Sequence, residues 1–333
     1  MSKNPLTKEE INDILDKYEY LLVRPDVVGI DIKFDDKQQP YLEIDSLKEE
    51  IIIGKTFEQK NLPKIEEMSK AEIPMQSSLE WSVQWRDISI KINSVSENYD
   101  QIKNKKLKIT EDSSKLYWDR DISSNNNFSA VRPMQGGNMV SAKGINYPGT
   151  MGVAMMYRGN FCYLSNNHVL SGNLQFGNRV YQPPKKVQEN EFTNVTGAEA
   201  IKFYSSIPAS EPYYNLKDVA WCITPYDQNK MYVNGIGMIT GRRAPVLYER
   251  VLFYGGASQK LQSAQIISLT KRYASQNDQF GISYWRNAVE LDREIGIPGD
   301  SGTAYIAEDD YKVVALHRAG SYDYDGTSKG CIL

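Results

Sequence analysis

The distribution of hydrophobic and polar residues divides the chain into a mixed N-terminal part and a strand-rich C-terminal part. Near the start, Thr7 and Glu10 have the spacing of a helix capping box, and apolar residues then recur at helical intervals up to Leu22. Pro25 ends this predicted helix. Residues 28–34 then alternate between apolar and polar side chains, which predicts a half-buried strand.

The N-terminal part continues with further predicted strands. Residues 41–44 follow a polar turn and predict a partner for the first strand. Residues 47–67 mix charged and apolar positions, and we interpret them as a strand followed by a short helix. Two stretches of alternation within residues 79–95 predict strands. Residues 1–97 are therefore predicted to form a small α+β domain, and the polar residues 98–141 a linker.

From residue 150 onward, short apolar runs alternate with turn residues, and no helical period separates them. Many short strands at such spacing are typical of an all-β barrel or sandwich. The runs interpreted as strands are 151–157, 161–165, 200–204, 219–223, 251–254, 264–269, 282–285 and 313–316. We therefore predict that residues 142–333 form one mostly β domain.

Composition and charge argue against several classes of function. A net charge of −3 and a pI near 5.7 give no electrostatic reason to expect a nucleic-acid partner. The chain has no run of about 20 apolar residues, so no membrane span is predicted, and its first ten residues lack the apolar core of a secretory signal. Three cysteines at unrelated positions favour a reduced, cytoplasmic protein without disulfides. No metal or cofactor is predicted.

Three polar residues, each beside strand-like sequence, are the residue types that a serine-nucleophile site needs: a serine, a base and an acid. Ser301 lies in the string G-D-S-G, whose glycines let the amides of Gly299 and Ser301, with Asp300 between them, point toward one oxygen. An ordinary turn is an equally good interpretation of this four-residue string. A serine hydroxyl also needs a base, and His168 follows an apolar strand in the string S-N-N-H-V-L. Asp218 precedes another apolar run and is placed to hold the imidazole.

The strings S-N-N-H-V-L, D-V-A-W and G-D-S-G, in this order, resemble those of trypsin-like serine peptidases with the chymotrypsin fold. Six stretches between about 148 and 321, including P-G-T-M-G, Q-P and A-L-H-R-A-G-S, resemble more closely an intracellular bacterial branch of that group. The string V-V-G-I-D-I in the N-terminal part resembles the strand that opens an extension in the same branch. Residues 254–260 depart from the basic, threonine-rich turn expected there, and Val219 replaces an alanine.

The resemblance implies a chymotrypsin-like double β-barrel peptidase domain preceded by a small α+β domain, with the catalytic groups in the cleft between the barrels. It implies a serine endopeptidase in which His168 is the base, Asp218 orients it and Ser301 attacks the peptide carbonyl. The backbone amides of Gly299, Asp300 and Ser301 are implied to hold the oxyanion. A buried Asp300 carboxylate also needs neutralising, and an internal cation such as the nearby arginine at 318 is one candidate.

Three further positions are implied to line the pocket for the side chain that precedes the scissile bond, namely Ile295, His317 and Ala319. Ile295 stands where trypsin has an aspartate, so a preference for Lys or Arg is not expected. His317 matches a strand histidine that binds glutamate or glutamine in glutamyl endopeptidases and picornavirus processing proteases. A neutral, hydrogen-bonded core histidine is an equally good interpretation of His317.

Two other functions stay open from the sequence. The chain fits a catalytically silent, peptidase-like binding module, and it also fits a self-processing switch in a bacterial defence or signalling cascade. In every case the expected partner is a protein or peptide, with a regulatory partner acting through the N-terminal domain. Because a peptidase in the cytoplasm needs restraint, we expect a regulated or latent enzyme.

Overall fold

A computed structural model of the chain describes residues 6–24, 27–37, 39–46, 89–94, 130–172, 177–184, 188–209, 212–224, 229–277, 279–320 and 327–333. The segment predicted at 47–67, the first strand predicted within 79–95 and most of the predicted linker lie outside these residues, as does Pro25. Within the described ranges, no helix is long and apolar enough to cross a membrane.

The N-terminal part is a short helical segment packed on a three-stranded extension of a larger sheet. Its elements are α1 (Lys8–Asp16), a 3-10 helix (Glu19–Val23), β1 (Val27–Phe34), β2 (Pro40–Ser46) and β3 (Ser89–Ser94). The capping box predicted for Thr7 and Glu10 is present, with each side chain accepting from the other residue's amide. Strands β1 and β2 are antiparallel, as their alternation predicted.

The predicted helix ends earlier than its apolar period suggests, because a distant arginine binds its last turn. Arg272 donates to the carbonyl of Asn12 at 3.2 Å and forms ion pairs with Asp16 and with Glu19, which is buried. After α1 the chain continues as the 3-10 helix, which begins at this same Glu19. Leu22 is still buried. The apolar face predicted for this segment is therefore correct, although the segment is not one continuous helix.

The first β unit consists of small sheets around an apolar core that includes Val140, Tyr163 and Val180. Its elements are β4 (Met134–Gly136), β5 (Asn138–Ala142), β6 (Gly149–Met151), β7 (Val153–Tyr157), β8 (Asn160–Ser165), α2 (Asn167–Leu170), β9 (Arg179–Tyr181), a 3-10 helix (Gln188–Asn190), β10 (Glu191–Asn194), β11 (Gly197–Ala198), β13 (Ala220–Ile223), β14 (Asn229–Val233) and β15 (Gly237–Met238). Two short strands of the same stretch, β12 (Tyr214–Asn215) and β16 (Gly241–Arg242), pair instead with strands of the second unit. Strand β4 and most of β5 lie inside the range 98–141, which was predicted as a linker. This part of the range forms strands because its apolar side chains are buried in this core.

The second β unit is a closed six-stranded barrel. Its strands are β17 (Arg250–Tyr254), β18 (Leu261–Asn277), β19 (Gly281–Leu291), β20 (Ala304–Ala307), β21 (Lys312–Gly320) and β22 (Ser328–Ile332). Pairing runs from β17 through β18, β19, β22, β21 and β20 back to β17, which closes the ring. Strand β18 extends beyond the barrel and pairs with β1, so the N-terminal strands continue the same sheet.

The two β units lie side by side and share an apolar interface. Val153, Leu164 and Val219 of the first unit pack with Ile306 and Leu316 of the second. The mostly β fold class is therefore confirmed, and the pair of β units agrees with the architecture that the resemblance to chymotrypsin-fold peptidases implied. The site described next lies where these units meet.

One predicted strand is wrong. Residues 200–204 form only an isolated bridge, between Tyr204 and Ile282. The reason is that the Asn215 side chain replaces a strand partner: it accepts from the Lys202 amide at 2.8 Å and donates to the Lys202 carbonyl at 3.1 Å. A side-chain amide with both a donor and an acceptor can satisfy a backbone segment in this way.

Candidate active site

The string S-N-N-H places its histidine through contacts made by the three residues before it. Ser165 ends β8 and donates its hydroxyl to the Thr150 carbonyl at 2.6 Å. Asn166 donates its side chain to the Asp218 carbonyl at 2.8 Å, and Asn167 donates to a carbonyl of the neighbouring loop. The chain then turns through α2, which carries His168 at its start. Each polar residue of the string therefore fixes the backbone on one side of the imidazole.

His168 and Asp218 form a buried pair. The Nδ1 of His168 lies 2.6 Å from Oδ2 of Asp218, and the His168 amide donates to Oδ1 at 3.2 Å. Burial alone would raise the pKa of Asp218, but the charge and hydrogen bonds of His168, followed by the charge of Arg318, outweigh burial and lower it. An ionised Asp218 accepts a hydrogen bond from Nδ1–H of His168, and in this tautomer Nε2 carries the lone pair that a base needs.

Ser301 lies on a tight turn between β19 and β20. Gly299 and Gly302 have φ angles of 97° and 95°, in the left-handed region that favours glycine, so the turn requires both. Thr150 of the first β unit binds this turn, donating its amide to the Ser301 carbonyl at 2.8 Å and its hydroxyl to the Gly299 carbonyl at 2.9 Å. The serine turn is therefore held directly against the unit that carries the histidine.

The amides of the serine turn differ in their hydrogen bonding. The Asp300 amide donates to the Ile297 carbonyl at 2.9 Å and is committed to the turn itself. In the part of the chain that the structure describes, the amides of Gly299 and Ser301 have no acceptor. Of the three amides predicted for the oxyanion site, these two are available to an incoming oxygen, and the Asp300 amide is not.

The Asp300 carboxylate is held by backbone amides, which corrects the suggestion that Arg318 neutralises it. Its Oδ1 accepts from the amides of Ala257 at 2.8 Å and Ser258 at 3.0 Å, and its Oδ2 accepts from Ile297 at 3.1 Å. Burial raises the pKa of Asp300, and these hydrogen bonds offset part of the effect. A nest of amides can hold a buried carboxylate without a cation.

Arg318 instead contacts both Asp218 and Ser301. Its Nε lies 3.2 Å from Oδ2 of Asp218, and its own carbonyl accepts from the Ser301 hydroxyl at 3.3 Å. The serine hydroxyl therefore donates to this carbonyl rather than to the imidazole. Gly149 also shows that the serine turn lies close to α2. A Cβ built on Gly149 would lie 2.5 Å from Val169, the residue after His168, and 3.1 Å from the Ser301 carbonyl oxygen.

The three positions predicted to line a substrate pocket have different surroundings. Ile295 packs in the core of the second barrel. His317 is buried, its Nδ1 lies 2.8 Å from the Tyr305 hydroxyl, and its Nε2 faces Gly296. Burial, followed by the charges of nearby groups, lowers the pKa of His317 to about 3, so the ring is neutral near pH 7. Ala319 is partly buried and packs against an apolar cluster that includes residue 285.

Sequence reasoning missed two parts of this site. One is the turn after β17, where a Cβ built on Gly255 would lie 2.1 Å from Oδ1 of Asp300, so only glycine leaves room for the carboxylate. Its sequence signal was the Gly-Gly pair within 254–260, which had been noted only as a departure from the expected motif. The other is the contact between Arg318 and Asp218, for which the sequence carries no local signal. The described residues contain no group of three or more His, Cys, Asp or Glu placed to hold a metal.

No family model matches this chain, and no curated protein sequence matches it. Solved structures with some likeness include Thermobifida fusca protease A, which is 17% identical and aligns over 60% of this chain and 90% of its own at a TM-score of 0.41. A Nocardiopsis protease is 14% identical over 60% of this chain and 91% of its own, also at 0.41. A serine protease described as specific for glutamic acid is 13% identical over 60% and 93%, at the same score.

Proposed function

We propose that this protein is a serine endopeptidase that cuts peptide bonds through an acyl-enzyme. The observation that carries the proposal is the buried pair of His168 and Asp218, at 2.6 Å, in the β unit whose Thr150 binds the glycine turn of Ser301. A serine hydroxyl becomes a nucleophile when an oriented imidazole takes its proton. The His168–Asp218 pair and the two amides that lack an acceptor among the described residues support this assignment.

The reaction follows from these positions. Nδ1 of His168 donates to Asp218, so Nε2 accepts the proton from Ser301 as its oxygen attacks the carbonyl, and later returns it to the leaving amine. The amides of Gly299 and Ser301 receive the oxyanion, and removing one such donor costs about 2.7–4 kcal/mol in other enzymes. Water then takes the place of the amine: His168 accepts a proton from it as its oxygen attacks the acyl carbon, and returns the proton to the Ser301 oxygen as the ester bond breaks and the acid product leaves.

The resting hydrogen bond of the Ser301 hydroxyl has to change before catalysis. The Ser301 hydroxyl donates to the Arg318 carbonyl at 3.3 Å, so it must rotate about its side-chain torsion before His168 can take the proton. Side-chain rotation between staggered wells is rapid and small in cost. This rotation needs no change of fold, so the regulation that we propose acts elsewhere, through a partner that binds the N-terminal part.

For specificity we keep the preference that the resemblance implied, cleavage after an acceptor side chain such as Gln or Glu rather than after Lys or Arg. His317 is neutral near pH 7 and its Nδ1 is engaged by the Tyr305 hydroxyl, which leaves Nε2 as a donor or acceptor toward Gly296. Ile295 offers no charge to a cationic side chain. Glutamine is the best match, and glutamate the next, because a neutral imidazole donates a hydrogen bond but supplies no counter-charge.

A peptide library tests the function and the specificity together. The purified chain is incubated with the library, and new termini are identified by mass spectrometry. We expect cuts after Gln or Glu that fall by on the order of a millionfold in Ser301→Ala and in His168→Gln. Efficient cleavage after Lys or Arg would contradict the specificity, and cuts that persist in Ser301→Ala would contradict the mechanism.

A further inference from the structure

Arg318 brings a permanent positive charge to the acid of the proposed triad. It lies on β21 with its side chain 4% exposed, and its Nε is 3.2 Å from Oδ2 of Asp218. This is the same oxygen that lies 2.6 Å from Nδ1 of His168. The Nε–H of Arg318 makes no hydrogen bond within the described part of the chain, so the contact is one of charge rather than of an aligned donor. One carboxylate oxygen therefore faces two nitrogen groups.

The other groups around the guanidinium are neutral. It stacks on the Trp285 ring with 3.8 Å between the guanidinium carbon and the ring centroid, and donates to the Ser283 hydroxyl at 3.0 Å and to the Tyr273 hydroxyl at 3.4 Å. Burial raises the pKa of Tyr273, and also that of the nearby Cys331 thiol, so both stay protonated near pH 7. Among the residues that the structure describes, Asp218 is the one carboxylate within ion-pair distance of Arg318.

This arrangement reduces how strongly the Asp218 carboxylate stabilises a protonated His168. Arginine stays charged in proteins, so Arg318 and Asp218 already form a neutral pair before His168 acts. When His168 takes a proton, two cations share one carboxylate. The other titratable groups nearby are His317, which is neutral near pH 7 because burial lowers its pKa to about 3, and Lys329, which donates to Thr327. Neither relieves the repulsion between Arg318 and a charged imidazole.

We propose that Arg318 is a positioning residue of the site, the permanent counter-ion of Asp218, and that its charge sets the pH range over which His168 accepts a proton. The proposal rests on the proposed peptidase function. Its expected effect follows from Coulomb's law. Nε of Arg318 and Nδ1 of His168 lie 3.2 Å and 2.6 Å from the same oxygen, so they are at most about 6 Å apart. At an effective dielectric constant of about 20, charges at that separation change a protonation equilibrium by about one to two pH units. Removing the Arg318 charge should therefore let His168 hold its proton to a higher pH.

The two histidines of the chain make this measurable without catalysis. The full chain is labelled with ¹³C-histidine, and the ring signals are followed by NMR from pH 5 to 9, with His317→Gln used to assign them. In Arg318→Met, which removes the charge but can still pack on Trp285, we expect the His168 midpoint to rise by about one to two pH units. Arg318→Lys, which keeps a charge, should stay close to the unmodified chain.

Two matched variants make the test decisive. Tyr273→Phe removes a neutral partner of the same guanidinium and should leave the midpoint unchanged. Arg318→Gln is a second neutral variant, polar enough to keep the hydrogen bond to Ser283, and serves if Arg318→Met does not fold. An unchanged midpoint in a folded neutral variant would overturn the proposal, as would a rise in Arg318→Lys equal to that in the neutral variant.

Labelling of Ser301 by a fluorophosphonate separates this inference from the proposed function. A midpoint that depends on Arg318 in a chain whose serine never reacts would support the role of Arg318 and contradict the peptidase. A serine that reacts, together with a midpoint that does not depend on Arg318, would support the peptidase and contradict the role of Arg318. The pH dependence of labelling offers the same comparison in the active chain, because its acid limb should move to higher pH in Arg318→Gln.

Discussion

Gly255 offers a direct test of how the serine turn is held. A Cβ built at this position would lie 2.1 Å from Oδ1 and 2.2 Å from Cγ of Asp300, distances at which atoms cannot coexist. The backbone of Gly255 lies outside the left-handed region, so alanine introduces no strain of its own. Gly255→Ala therefore acts on one thing, the space that the Asp300 carboxylate occupies.

The expected cost can be worked from the contacts that the carboxylate would lose. It accepts hydrogen bonds from the amides of Ala257, Ser258 and Ile297 at 2.8–3.1 Å. A hydrogen bond to a charged group contributes about 1.5–3 kcal/mol, and the lower value applies here because an expelled carboxylate regains water. Three such bonds give a loss of about 4–5 kcal/mol, a large part of the roughly 5–15 kcal/mol that stabilises a typical domain.

Two measurements follow the effect of Gly255→Ala. Urea unfolding reports the loss of stability, and the rate of fluorophosphonate labelling reports the geometry of the amides beside Ser301. Because Asp300 lies between the two oxyanion donors, we expect labelling to slow by on the order of 10²–10³ if one donor is misplaced. Lys260→Ala, a change to an exposed side chain of the same turn, is the control and should alter neither quantity.

A double variant shows whether the clash is the cause. In Asp300→Ala the carboxylate is gone, so adding Gly255→Ala should cost little more, and the two effects should be strongly non-additive. If the two losses simply add, or if Gly255→Ala alone is harmless, the proposed support of the serine turn by this cradle is incorrect.

Three further predictions concern stability and reactivity. Burial lowers the pKa of His317 from 6.5 to about 3, so the unfolded chain binds a proton that the folded chain refuses. Stability should therefore fall by about 1.4 kcal/mol per pH unit below pH 6.5, and urea unfolding at pH 7 and 5 should show a drop that is absent in His317→Gln. Arg272→Met removes the ion-pair partner of the buried Glu19 and should lower the free energy of unfolding by about 3–5 kcal/mol, whereas Asp16→Asn, at a half-exposed partner, should cost under about 1 kcal/mol. The three buried cysteines have raised pKa values and should react with a thiol reagent only after denaturation.

Each of these predictions can fail clearly. An equal acid-induced loss in the unmodified chain and in His317→Gln would show that another group titrates. Equal losses in Arg272→Met and Asp16→Asn would show that the pair with Glu19 contributes nothing special. Rapid thiol reaction in the native chain would place a cysteine at the surface.

Local patterns predicted those features that depend on neighbours in the sequence. The capping box at Thr7 and the alternation that marks β1 and β2 are such features, and the structure contains them. The lengths of β18 and β19 were underestimated, because charged residues such as Lys271 interrupt the apolar pattern. Lys271 is nevertheless buried, since carboxylates of Asp45 and Glu290 neutralise it.

Contacts between distant residues account for the remaining differences. The strand predicted at 200–204 is replaced by the Asn215 side chain, and the first helix ends early because of an arginine some 260 residues away in sequence. In the site, the residues named for the triad come from recognisable strings, but the partners of their carboxylates do not. Asp300 binds a glycine turn and Asp218 faces Arg318, and neither pairing has a spacing that could reveal it.

The most direct test of the central claim is covalent labelling of the folded chain with a fluorophosphonate, read by intact mass and by peptide mapping. We expect a single adduct on Ser301 that is lost in Ser301→Ala and in His168→Gln, while Lys260→Ala labels normally. A folded chain that forms no adduct, or one whose adduct survives in Ser301→Ala, would contradict the claim that His168 and Asp218 activate this serine.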